Sequence, residues 1–265
     1  MRTFLGLGLF AATSLIGQVS FAQSWANLEI TIVYDGDKVP ERKKLDMTKD
    51  PACMGAAVDE LLIVNPENKG IQNVGLWVDA KKSKLTAADI HPDLKEIPKN
   101  KLLLDNNKCV FIPHFLIARA GQTIEVKNSD NTGHNANFNF LNNPPQNFVV
   151  PAGSSKDLVL EKGVEEPAAI PVQCNVHPWM EAKLMVLDHP YGAISDSNGV
   201  LKMEKVPAGK KLTFRIFHEN QAKSLDEFEV DGKKQEWKKG YNELELKPGD
   251  NKMKIKISAA KFKNK

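Results

Sequence analysis

Cys174-Asn175-Val176-His177-Pro178-Trp179-Met180 is the stretch on which the reading of the whole chain turns. It sets a thiolate, an imidazole and a thioether within seven positions. The runs on either side, Ala168 to Gln173 and Lys183 to Leu187, have strand character, so the three donors ride on a loop between strands. A second imidazole, His134, stands 40 residues before Cys174 in Asn128-Ser129-Asp130-Asn131-Thr132-Gly133-His134-Asn135. It lies just past the alternating run Thr123-Ile124-Glu125-Val126-Lys127.

Two His, one Cys and a weak axial Met form the donor set of a mononuclear blue-copper site. The chemistry needs the mixture. Soft sulfur stabilises Cu(I), imidazole serves both oxidation states, and a loop pinned by strands keeps its geometry as the charge changes. Zinc would want four strong donors, and a thioether is a poor one. A lone His or Met in a loop is usually structural or solvated; the constellation is what points to a metal.

Working outward, strand-like runs dominate. Leu28 to Tyr34, Val74 to Val78, Cys109 to Ala118, Phe148 to Val150 and Asp157 to Leu160 join those above, separated by Gly, Pro and Asn clusters. This is the spacing of a Greek-key β-sandwich. Helical signals are few: one short helix within Asp50 to Leu62, and a turn at Thr86-Ala87-Ala88-Asp89. Asp79 to Lys108 reads as a polar insertion loop. After Asp188 a second series begins, with Ser197-Asn198-Gly199 as a hairpin signal between Gly192 to Asp196 and Val200 to Met203. Leu212 to Phe217, Phe228 to Val230, Leu244 to Leu246 and Met253 to Ile257 complete a smaller β-sandwich. The expected class is all-β.

The ligand loop resembles that of the plastocyanin- and amicyanin-like cupredoxins: Cys, two residues, His, Pro, an aromatic, Met. The Asn-Ser-Asp and His-Asn context of His134 resembles their first-ligand region. The resemblance implies one type 1 copper held by His134, Cys174 and His177 in the plane, with Met180 on the axis. It further implies that Asn135 bonds across to the ligand loop. The wider context of Cys53, Cys109-x-x-x-Pro113-His114 and Asp188-His189-Pro190-Tyr191 is similar to exported methylamine-utilisation-like proteins. In these a cupredoxin is joined to a carboxypeptidase-regulatory-like, transthyretin-like module. The implied division is an N-terminal extension over 23–107 packing on a copper domain over 108–188, followed by the second module over 189–265. With Cys174 given to the metal, Cys53 and Cys109 are left to pair as a disulfide. The alternatives are two buried thiols or a second metal site with His114.

The remaining histidines read more plainly. His114 on an apolar run is a core or edge residue, His91 is solvated, and His189 and His218 are solvated or structural, or meet at an interdomain contact. Trp179 reads either as a cap on the core or as part of an apolar docking patch around an exposed edge of His177.

The 265 residues are 42% hydrophobic and 26% charged with net charge +3, which excludes a disordered, collagen-like or disulfide-dense chain. Residues 1–22, with Arg2, the apolar stretch Phe4 to Ile16 and Ser20-Phe21-Ala22, read as a cleaved signal peptide, so an exported periplasmic or extracellular protein is expected. No later run is apolar enough to cross a membrane. Residues 23–188 carry 18 basic and 22 acidic side chains, and 189–265 carry 17 and 11, so the two parts present different surfaces. Neither balance suits nucleic acid. The functional expectation is a carrier of single electrons between a redox donor and acceptor, not an enzyme: there is no His-x-His pair for further copper ions, no second thiolate in the loop and no Cys-x-x-Cys-His haem motif. The rival readings are a copper carrier or sensor without electron relay, and a structural or adhesion protein with an ancillary copper domain.

Overall fold

In the computed structural model, residues 23–48, 50–55 and 57–263 are described. The expected signal peptide over 1–22 lies outside them. Strand β1 (Trp25–Asp35) alternates cleanly, turning Ala26, Leu28, Ile30, Ile32 and Tyr34 into a core. Strand β2 (Gly75–Val78) is buried on both faces. Nine strands follow without interruption by the rest of that core: β3 (Leu102–Asn107), β4 (Val110–Ile112), β5 (Phe115–Arg119), β6 (Thr123–Asn128), β7 (His134–Phe138), β8 (Gln146–Val150), β9 (Ser155–Val159), β10 (Ile170–Gln173) and β11 (Glu181–Leu187). They make one sandwich, with sheet β4-β3-β6-β9 facing sheet β5-β11-β10-β7-β8. The chain then returns through β12 (Gly192–Ile194), β13 (Val200–Pro207), β14 (Lys211–Phe217), β15 (Glu227–Val230), β16 (Lys233–Glu236), β17 (Tyr241–Glu245) and β18 (Gly249–Ser258). These join β1 and β2 in a second sandwich, with sheets β13-β1-β18-β15-β16 and β12-β2-β14-β17. The all-β, two-sandwich class expected from strand spacing is the one observed.

The connectivity differs from the expected division. The stretch 23–107 does not pack as a unit on the donor-bearing sandwich. β1 pairs in parallel with β18 and antiparallel with β13, and β2 pairs with β12 and β14. The donor-bearing sandwich is therefore an insertion between the paired strands β2 and β12, and the terms inner and outer sandwich describe the two. The physical reason is that β1 is a long half-buried strand whose apolar face needs a sheet, and the outer core supplies it. Only the middle and the end of the stretch turn inward: Met47 and Cys53 are buried in the inner core, with Leu45 and Ala57 against it, and β3 itself is a strand of the inner sandwich.

Local readings change too. Leu102–Asn107, expected in a loop, is β3, paired in parallel with β6. Its polar half is held in part by the fold: Asn106 Nδ2 donates to the Lys127 carbonyl and Asp105 accepts from Ser129, while the buried Asn106 Oδ1 has no partner among the described residues. The helix expected within Asp50 to Leu62 is a single 3-10 turn, Pro51–Cys53. The Asn-Gly turn joins β12 to β13, but those strands lie in different sheets. Gly199 instead abuts β1, where Ile32 N–H donates to its carbonyl at 2.7 Å.

The seam between the sandwiches is apolar. Trp77, Phe115, Met185 and Leu187 form its core, with Phe217 edge-on to Phe115. Gly75 has no side chain because a Cβ there would meet the Phe115 ring. One buried polar pair crosses the seam: His114, just before β5, bonds Glu219, just after β14.

Candidate metal centre

His134 opens β7, in register with Val150 of β8. The turn before it is built by Asn128, which is fully buried. The Asn128 amide donates to the Thr132 and Val150 carbonyls, and its oxygen accepts from Asp130 N–H. The loop of Cys174 to Met180 closes on itself: Cys174 N–H donates to the Met180 carbonyl, and Met180 N–H to the His177 carbonyl at 2.9 Å. Asn135 ties loop to strand, its oxygen accepting from Asn175 N–H at 2.6 Å while its amide donates to Asn147.

The three strong donors converge. His134 Nδ1 faces His177 Nδ1 at 2.9 Å, and Cys174 Sγ lies 3.5 Å from His177 Nδ1. All three donor atoms lie within 4.8 Å of one another, and all three residues are buried. Met180 is buried in the same apolar cluster as Cys174. Met185, on β11, belongs to the seam instead. Cys174 is a free thiol, whereas Cys53 and Cys109 form a disulfide with Cα atoms 5.7 Å apart.

The outer edges of both imidazoles are held by carboxylates. His134 Nε2 meets Asp130 Oδ2 at 2.9 Å, and His177 Nε2 meets Asp50 Oδ2 at 2.6 Å. Burial pushes His134 below its ordinary pKa, against the pull of Asp130. The bond to His177 holds the Asp50 carboxyl below the usual carboxylate range. Asp130 also accepts from the N–H groups of Lys108 and Cys109, two consecutive non-glycine residues with φ of +56° and +54°. The disulfide adjoins the cluster, with Cys53 Sγ 3.9 Å from His177 Nε2.

His177 thus has no exposed edge. It is 1% exposed, because the turn bearing Asp50 and Cys53 covers it. Trp179 stacks obliquely 5.2 Å from the His177 ring and donates from Nε1 to the Cys109 carbonyl, which makes it a partly buried lid on the core. Val176 is the exposed apolar residue of the loop.

Asp50 and Asp130 were not legible as part of the centre. Asp130 had a signal, four residues before His134 and inside its turn. Asp50 had none, being 127 residues from His177. The other histidines lie elsewhere. Among the described residues no group of three donors includes His114, His189 or His218. His91 is not solvated: it packs edge-on against Trp25 and accepts from Asp93 N–H.

No family model matches the chain, and no curated protein does. Among solved structures the chain is similar to a Cu-containing nitrite reductase from Thermus scotoductus SA-01, at 21% identity over 34% of this chain and 23% of that one, with a TM-score of 0.28. It is also similar to a reduced Cu(I) form of an amicyanin variant at pH 4, at 21% identity over 35% of this chain and 87% of that one, TM-score 0.29. An oxidised amicyanin variant matches at 20% identity over the same shares, TM-score 0.30. The chain spans under a quarter of the nitrite reductase, and each match covers about a third of this chain.

Proposed function

We propose that the chain is an exported carrier of single electrons holding one type 1 copper through His134, Cys174, His177 and Met180. One observation carries the reading: two imidazole Nδ1 atoms and a buried free thiol point at a common centre beside a buried thioether. This donor set fits copper, since thiolate and thioether are soft and the imidazoles suit both oxidation states. When bound, the metal supplies one-electron exchange between Cu(II) and Cu(I). The protein's own part is to keep its donors still. The loop is closed by its backbone bonds, Asn135 locks it to β7, and burial keeps water out. Donors fixed in this way need little rearrangement when the charge changes. Burial also speaks against a carrier or sensor that releases its metal, which would want an open, labile site. The disulfide suits an oxidising compartment and so supports export. The partners are a redox donor and acceptor, and the surface around Val176 is the nearest apolar approach to the loop.

The test is Cys174→Ser in copper-loaded protein. Thiolate-to-Cu(II) charge transfer gives the intense visible band, and a hydroxyl cannot supply it. The parent should be intensely coloured and the variant colourless. A variant that kept the band would remove Cys174 from the site.

A further inference from the structure

The inner sandwich supplies the donors but not everything that orients them. His177 is the donor most in need of help, because it sits in a loop and its ring is fixed only if both edges are engaged. Its outer nitrogen is taken by Asp50, which arrives from a turn outside both sandwiches' strands. That turn is pinned at three points. Met47, whose carbonyl accepts from Asp50 N–H, is buried in the inner core. Cys53, whose N–H donates to the Asp50 carbonyl, is tied to Cys109. The carboxylate itself is shared: Oδ1 accepts from Ala52 N–H at 2.9 Å, which leaves Oδ2 for the imidazole. An acceptor on Nε2 requires the proton there, and so leaves the Nδ1 lone pair free to face Cys174 and His134.

Resting on the copper reading above, we infer that Asp50 is a positioning residue for the metal: its carboxylate fixes His177 with Nδ1 inward and, by its charge, favours Cu(II) over Cu(I). The disulfide's part in this is to hold Asp50 in place. A carboxylate behind a ligating imidazole raises the imidazole's basicity, and loss of such a partner changes metal affinity by about 10–100-fold. Asp130 plays the same part for His134, but it holds two backbone N–H groups, those of Lys108 and Cys109, against the one of Ala52 that Asp50 holds, so Asp50 is the cleaner probe.

The experiment uses the full chain loaded with copper, comparing the parent with Asp50→Asn, Asp50→Ala and Asp157→Asn. The last removes an equal charge from the exposed end of a surface pair with Lys101. Midpoint potential and the nitrogen resonances of the diamagnetic Cu(I) form are read. Asp50→Asn should lower the Cu(II)-to-Cu(I) affinity ratio about tenfold, which raises the potential by about 59 mV, while keeping the visible band. The parent should show a slowly exchanging His177 Nε2–H signal, lost in Asp50→Ala. If Asp50→Ala fails to fold, Asp50→Asn decides alone. A coloured parent whose Asp50 variants match Asp157→Asn in potential and retain the protected Nε2–H overturns the inference and leaves the copper reading standing. A parent that binds copper without the visible band overturns both.

Discussion

Among the described residues two places bury a histidine against a carboxylate, and they are built for different ends. At the seam, His114 meets Glu219 alone: the pair joins two sandwiches, and among the described residues no third donor gathers round it. At the centre, His134 and His177 each spend their outer nitrogen on a carboxylate and turn the inner one toward a thiol. Burial and charge are common to both. What separates a clasp from a candidate metal centre is the direction of the spare lone pairs. At the seam the imidazole's bond is the whole of its function; at the centre the bond is what frees the opposite face.

The comparison can be broken most forcefully at the seam. His114→Ala leaves the buried Glu219 carboxylate without its partner, at a cost of about 3–5 kcal/mol in unfolding free energy, and Glu219→Gln, which removes the countercharge but keeps an acceptor for His114, costs less. Neither should alter the visible band of the copper-loaded protein. Chemical denaturation read beside the absorption spectrum checks this, and a bleached seam variant would mean that the two places are coupled.

Acid sharpens the contrast among the buried histidines. Burial pushes His218 and His189 down to about 4, so both stay neutral in the folded chain. The unfolded chain takes up those protons near pH 6.5, and stability therefore falls as pH drops from about 6.5 to 4, by about 3 kcal/mol for each. His114 runs the other way. Burial disfavours its charge, but Glu219 outweighs burial and raises its pKa, so its contribution is present below pH 6.5 and is lost as pH rises through the folded value. Unfolding free energies of His218→Gln and the parent across this range should show a shallower acid slope in the variant. Equal slopes would remove His218 as a cause.

The finest probe is Met180. An amide oxygen in Met180→Gln favours Cu(II) and lowers the midpoint potential, whereas an apolar Met180→Leu favours Cu(I) and raises it. Each shift should be smaller than the loss of colour in Cys174→Ser. Potentials moving in one direction would remove Met180 from the axial position.

What the sequence shows of this fold depends on separation along the chain. The convergence of His134, Cys174 and His177 was legible because Cys174 and His177 share one loop and because strand alternation near His134 placed it at a strand end. The all-β class followed from the same alternation. The nesting of one sandwich in the other was not legible, since a strand pattern shows that a face is apolar and not which sheet covers it. β1 looked like any half-buried strand, yet one of its two partners, β18, lies more than 200 residues on. β3 was missed because Asp105, Asn106 and Asn107 are polar residues in a strand, held there by parallel pairing with β6 that no local rule anticipates. Asp50 was missed for the related reason that a single acidic residue in a polar stretch carries no period and no spacing.

The parallel pairing of β1 with β18 also fixes an order of assembly. Residues 26–35 align with 249–258, so closing the outer sandwich means closing a loop of more than 200 residues, a slow and entropically costly event. The inner sandwich asks for no such wait, because its nine strands are contiguous between residues 102 and 187. A growing chain therefore has the donor cluster in hand while the apolar face of β1 is still unsheltered, and the folded insert then shortens the effective gap that β18 must bridge. The same topology sets where a chain is open to misassembly: until β18 arrives, the β1 edge is an unpaired strand offered to its neighbours.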